Sequence, residues 1–338
     1  MKQRNHAFDL LCGLCILRMI MLHSISMCGL RGTFWFGKLM AWTFFFLCFF
    51  FFKAGYFNKT VSGPTLPFVM DKARRLLIPY ATWGVIASVF YFGFMYFFPQ
   101  ELHFYADQFR WDHVWKQSHF YGDPPLWFLF SFFWMYVAVH LMQKVPRLSC
   151  VALAFPLVSW WLAAEKHALW MSMSNVFMGV FFFYLGHWWH WLQDRLRTEH
   201  FVALSAVLVA VFAIGNHYWH GEYDMSLNHW VQRPWGAMLN TVSALCGLSG
   251  LLLVGLKRRI PGICYIGEHS MVYFVAHYPL LFYYCFVHLA GNRSMYHHWD
   301  DFILSTVIVL CICSWLVPYV ERVPWLSGRI ANKGRTVA

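Results

Sequence analysis

The sequence is poor in charge. Only 12% of its 338 residues are Asp, Glu, Lys or Arg, about half the share of a soluble domain. No polar stretch is long enough for a soluble domain; the longest run over roughly 99–123 and 217–235. No fixed-period repeat and no low-complexity segment occurs. These shortages exclude disorder, a collagen-like rod and a repeat array. A redox framework is also missing. Of the ten cysteines, Cys12, Cys15, Cys48, Cys246, Cys285, Cys311 and Cys313 lie in long apolar runs, where a Cys is a small hydrophobe. Cys12 and Cys15 are spaced as CxxC but lack the second pair a zinc site needs.

What the chain has instead is apolar and aromatic mass: 59% apolar residues, 35 Phe and 19 Trp. One soluble core cannot hide that much, and lipid can. A membrane span takes about 20 mostly apolar residues. Windows of that kind fall at 8–30, 34–52, 76–98, 124–143, 149–164, 172–192, 201–216, 236–256, 271–290 and 302–320. The expected fold is an all-α integral membrane protein of about ten transmembrane helices, one polytopic domain over residues 1–338. The run 8–30 contains Arg18 and no small-residue cleavage site follows it. It reads as a retained helix and not as a signal peptide.

Charge then orients the chain. With ten spans and both ends on one side, 18 Lys and Arg fall on that side and seven on the other, with Arg18 inside the first span. The positive-inside rule expects both termini in the cytoplasm. The net charge of +11 follows from this distribution, so no nucleic-acid partner is expected.

Ionisable residues within spans are costly and mark function by default. The first span carries Asp9, Arg18 and His23. At 100° per residue, Cys12 and His23 return to within about 20° of one face, about 16 Å apart along the axis. Asp9 falls about 40° from His23, and Arg18 about 140° round. One stripe therefore runs from a carboxylate at the inner mouth to an outer histidine. An imidazole titrates near neutrality and can take a proton from a hydroxyl. A hydrogen bond across a helix interface is the other role such a histidine fills.

The run Phe8-Asp9-Leu10-Leu11-Cys12-Gly13, with His23 eleven residues after Cys12, resembles the opening motif of the acyltransferase 3 family. Further blocks resemble that family in order: Phe51-Phe52-Lys53-Ala54-Gly55-Tyr56; Lys72-Ala73-Arg74-Arg75-Leu76-Leu77-Ile78-Pro79-Tyr80; Leu126-Trp127-Phe128-Leu129; Phe183-Tyr184-Leu185-Gly186; and Ile266-Gly267-Glu268-His269-Ser270 running on to His277. The last block is most similar to the fucose 4-O-acetylase-like branch. The resemblance implies a membrane O-acyltransferase that uses acyl-coenzyme A as co-substrate, acetyl-CoA above all, with no tightly bound cofactor. It implies a sugar or cell-surface glycan as acceptor, a place in the inner (cytoplasmic) membrane, and His23 as the base. Lys72, Arg74, Arg75 and Lys53 are then the expected donor-binding residues, holding the donor's phosphates by charge-assisted hydrogen bonds. Two departures stand out. Cys12 occupies a place that is usually basic in the family, and Lys72 replaces one of a pair of arginines. Lysine binds phosphate as a point charge, without the arginine fork.

Asp9 and His277 complete the expected catalytic set. His277 would orient His23 or the acceptor, or else bond to a neighbouring helix. The basic run at 72–75 also suits a topological anchor, and both roles can hold together. Trp127, Trp111 and Trp115 are the expected acceptor-binding rings, an aromatic face being suited to a sugar as well as to an interfacial belt. His187, His190 and Asp194 share a helix face, but the other histidine groups lie across the membrane from them. No metal site is expected. A transporter of a glycan precursor is the rival reading, although the paired broken helices of many transporters are not evident.

Overall fold

The structure is a computed structural model. It describes all residues except 1–4, 59–62, 98–114, 146, 166–168, 219–221, 226–227, 232, 291–297 and 330–338. Its helices are α1 (His6–Met27), α2 (Phe34–Thr43), α3 (Phe46–Tyr56), α4 (Thr65–Phe97), α5 (Trp127–Gln143), α6 (Phe155–Ala164), α7 (Ser174–Arg195), α8 (Thr198–Tyr218), α9 (Pro234–Gly255), α10 (Pro261–Glu268), α11 (Ser270–Ala290), α12 (Trp299–Val320) and α13 (Pro324–Ser327). A two-stranded hairpin, β1 (Glu222–Asp224) with β2 (His229–Val231), is the one sheet among the described residues. The chain is an all-α integral membrane protein.

Eight helical stretches among the described residues are long and apolar enough to cross a bilayer. They match eight of the ten expected windows. The two others are helical but differ in kind. Leu148–Ala164 is a shorter apolar helix that opens as a 3-10 turn. Helix α7 has the length, but His187, His190, Gln193, Asp194 and Arg195 make its second half polar. The second window also differs: α2 and α3 are separated at Phe44-Phe45, so this stretch crosses as two pieces.

Local chemistry explains the ends. The Asn5 side chain accepts from the Ala7 and Phe8 amides at 3.1 and 3.3 Å and caps α1. Asp9 in the first turn complements the positive end of the helix dipole. Helix α1 is buried on most of its faces and packs on α10, α11, α12 and α3. It is the central post of the bundle.

Two helix crossings are made of bare backbone. A Cβ on Gly13 would lie 2.0 Å from the Ile263 carbonyl oxygen, and one on Gly267 would lie 1.9 Å from that of Asp9. Helices α1 and α10 thus meet reciprocally, each through its own glycine. The same happens between α3 and α7: a Cβ on Gly55 would sit 1.7 Å from the Phe183 oxygen, and one on Gly186 2.0 Å from the Phe52 oxygen. Between helices in lipid, small residues allow this approach, and close packing holds them together. All four glycines stand in the motif blocks quoted above. Gly247 packs against Val209 and Ser205 in the same manner, joining α8 to α9.

The buried Arg18 has a structural post. Its Nε donates to Thr43 Oγ1 at 3.1 Å, and its guanidinium lies 3.7 Å from the Phe46 ring centroid. Thr43 is the last residue of α2 and Phe46 the first of α3. A cation therefore sits at the carbonyl end of α2, where the dipole favours it, and bridges the break.

The described ends of the chain lie at one end of the bundle. The Cys264 thiol of α10 points at the His6 carbonyl oxygen, 3.7 Å away. His269 Nδ1 is 2.6 Å from Glu321 Oε1, and Arg329 Nη1 is 2.5 Å from Glu321 Oε2. Gly328 packs on the Arg75 backbone, and Trp83 Nε1 donates to the Leu326 carbonyl at 3.0 Å.

The crossings predict a sharp contrast. Gly55→Ala should lower stability by about 1–3 kcal/mol, the usual cost of overpacking. Gly37→Ala, where a Cβ meets nothing within 4 Å, should leave stability unchanged or raise it. Thermal unfolding of the two variants in detergent checks this; equal midpoints would show that the α3–α7 contact tolerates separation.

Candidate active site

Helix α1 carries His23 about 26 Å along its axis from His6, toward the far end of the bundle. Helix α11 brings His277 beside it, with ring centroids 5.3 Å apart. Tyr278 meets the same imidazole edge-on, at 5.1 Å and 80°. His23 is partly accessible, while His277 is 0% exposed and Tyr278 is buried. An accessible imidazole is thus backed by a sealed one.

The tautomer of His277 follows from its contacts. Nδ1 lies 2.7 Å from the Phe274 carbonyl oxygen, which can only accept. The proton is therefore on Nδ1, and Nε2 is left as an acceptor. That nitrogen is buried with no hydrogen-bond partner among the described residues. Two residues on, Pro279 lies within α11 and removes one helix hydrogen bond from this turn.

The other expected catalytic residue is far away. Helix α1 is continuous, so Asp9 lies roughly 21 Å from His23 along its axis. Asp9 is buried beside Gly267 at the opposite end, and the two side chains do not share a site.

The basic residues group near that opposite end. Lys72 Nζ lies 3.9 Å from the Tyr136 ring centroid and 5.4 Å from that of Phe68. Arg75 Nε pairs with Asp71 Oδ1 at 3.0 Å on an exposed face. Arg74 is exposed. Lys53, in the last turn of α3, is near enough for its charge to be felt at Cys15. A cation from α3 thus attends the α1 face on which Cys12 stands. An exposed cationic group of this kind can hold phosphates.

The expected acceptor rings are dispersed. Trp127 is buried at the start of α5, 6.0 Å from the Phe128 ring. Trp115 is 44% exposed and stacks flat on Trp170 at 5.7 Å. Trp111 lies outside the described residues, as do Tyr105 and Trp219. Trp230 packs 4.6 Å from the buried Tyr223 ring. Trp230 therefore helps to fill the hairpin's own core.

His190 pairs with Asp194 at 3.6 Å along α7. Among the described residues, the histidine–carboxylate group with metal-ligand spacing lies elsewhere. It joins His298, Asp300 and Asp301, with ligand atoms within 4.8 Å of one another. Asp301 is also bonded by Tyr284 and faces His288.

Tyr278 stands just beyond the last motif block, directly after His277, and no sequence pattern singles it out. Asp123 likewise bears no motif in the sequence. In the structure Asp123 is 0% exposed, and neither carboxylate oxygen has a hydrogen-bond partner among the described residues.

A family model described as an acyltransferase domain matches residues 5–318. Searches of curated proteins and of solved structures returned no match. The match spans every motif block and nearly the whole chain, so it carries the histidine pair, the basic group and both glycine crossings together. The chain belongs to the acyltransferase 3 family of membrane acyltransferases.

Proposed function

We propose that the chain moves an acetyl group from acetyl-CoA to a hydroxyl of a sugar or cell-surface glycan, in the cytoplasmic membrane, with His23 as general base. The observation that carries this reading is the accessible His23 imidazole set against the sealed His277 within a chain of an acyltransferase family. The motif block that ends at His277 supports a sugar as acceptor through its resemblance to the fucose 4-O-acetylase-like branch.

The chemistry runs as direct transfer. The His23 imidazole takes the proton of the acceptor hydroxyl as that oxygen attacks the thioester carbonyl. The tetrahedral intermediate collapses, and the carbon–sulfur bond breaks. The departing coenzyme A thiolate then takes the proton back from the imidazolium. His277 serves as a positioning residue: its Nε2 accepts from the far N–H of His23 and steadies the imidazolium. With centroids 5.3 Å apart, a modest ring rotation makes that bond. Lys72, Arg74, Arg75 and Lys53 hold the donor's phosphates at the cytoplasmic end. The dispersal of Trp127 and Trp115 gives them no joint platform, so aromatic stacking of the acceptor rests on one ring at a time.

Loss of a general base typically costs about 10²–10⁴-fold in rate. Mass spectrometry of surface glycans from cells with wild type, His23→Ala or no copy should show an acyl mass with wild type alone. Equal acylation in all three would overturn the reading. Lys72→Ala with Arg75→Ala should weaken coenzyme A binding, by calorimetry, by about tenfold or more, the worth of one charge-assisted bond. Unchanged affinity would leave these residues as topological anchors.

A further inference from the structure

Asp123 is a chemical oddity within the fold. It sits in the turn that leads into α5, where a charged side chain finds no water. Its backbone is fully used: its N–H donates to the Phe120 carbonyl at 3.2 Å, and its own carbonyl accepts from Leu126 at 3.3 Å. Its carboxyl is not used at all. Among the described residues it is the one buried carboxyl with both oxygens unpartnered. Leaving such a group unpaired costs about 1–3 kcal/mol, and more if it is charged. A fold that keeps that cost has a use for it.

The turn is held with care. Gly122 has φ +78, and a Cβ there would lie 2.6 Å from the Ala87 carbonyl oxygen of α4. Phe120 covers Gly84, Tyr80 donates to the Ser118 carbonyl at 3.1 Å, and Ser88 to that of Tyr121 at 3.3 Å. On its other side the turn Pro124–Leu126 packs on α11. Tyr121 of the turn packs on the apolar cluster that holds Tyr278 of α11, and Tyr278 lies edge-on to His23. The rings of His23, His277 and Tyr278 lie 5.1–6.1 Å from one another. Burial holds the Asp123 carboxyl well above the usual carboxylate range.

We propose that Asp123 is the acceptor-holding residue: its carboxyl binds a second hydroxyl of the acceptor, beside the hydroxyl that His23 deprotonates. This rests on the reading of His23 as base and narrows the acceptor to a class. The acceptor carries a neighbouring pair of hydroxyls, as a sugar ring does. A site built around a buried polar group rejects a molecule that lacks the matching hydroxyl far more strongly than an apolar pocket could.

The test uses the full chain in lipid nanodiscs, acetyl-CoA as donor, and a set of methyl glycosides with their deoxy analogues, followed by product mass and free thiol. Asp123→Asn should raise KM for the best glycoside by about tenfold or more, while coenzyme A binding stays at the wild-type level. Wild type should discriminate against the deoxy analogue lacking the neighbouring hydroxyl, and Asp123→Asn should lose that discrimination, the signature of a direct pair. Asp123→Leu should unfold at or above the wild-type temperature, because it removes an unpartnered polar group. A purely structural Asp123 gives the reverse: lower unfolding temperatures and weakened coenzyme A binding in both variants, which would overturn the proposal. So would an unchanged KM with discrimination retained. If His23→Ala keeps wild-type transfer while Asp123→Asn loses it, the base assignment fails and the acceptor subsite stands. If wild type acylates none of the glycosides, the sugar-acceptor reading and this one fall together.

Discussion

The arrangement depends on backbone touching backbone at the Gly13–Gly267 crossing. His23 lies ten residues beyond Gly13, and His277 ten residues beyond Gly267. From that contact one unbroken helical path of about 15 Å leads along α1 to His23, and the other leaves α10, turns at His269 and enters α11 to reach His277. Any Cβ at the crossing pushes α10 from α1, and the displacement carries up to the histidines. The α3–α7 crossing at Gly55 and Gly186 braces the other side in the same way. In lipid no hydrophobic drive draws helices together, so contact this close must come from packing itself. The glycines are therefore as much a part of the site as the residues that face it.

Arg18 shows how the same bundle handles a charge it cannot expel. A cation at this depth is expensive. Here it is spread over a threonine hydroxyl, the end of α2 and an aromatic face. The break at Phe44-Phe45 places the C-terminal end of α2 beside the cation, where the helix dipole favours it. The intramembrane arginine and the intramembrane histidine thus divide into two roles. One bridges a helix break, and the other stands partly accessible beside a sealed second imidazole.

Much of this was legible in the sequence, for physical reasons that differ by residue. Hydropathy located the helices because lipid demands unbroken apolar runs. The period of α1 placed His23 and separated it from Arg18, because one helix fixes its own angles. Axial distance was underused: Asp9 shares the face of His23 but sits at the other end. Tyr278 and Asp123 escaped because their meaning arises between elements apart in the sequence, Tyr278 lying 255 residues from His23 and 155 from Asp123. No local pattern reports that a carboxyl has been left without a partner. The break in the second span escaped for the same reason, since the residue that bridges it, Arg18, lies on α1.

Helix α4 measures the molecule. Its N-terminal part carries Lys72 and Arg75, and its C-terminal part, at Gly84, Ala87 and Tyr91, grips the turn around Gly122. From Lys72 to Ala87 is roughly 22 Å at 1.5 Å per residue. No loop lies between them to absorb an error. One residue inserted between Arg75 and Gly84 would turn the C-terminal part by about 100° relative to the N-terminal part and lengthen the helix by about 1.5 Å. The basic face and the turn's seat would then point in different directions. Between positions 75 and 84 the gene can change letters, but it cannot change their number.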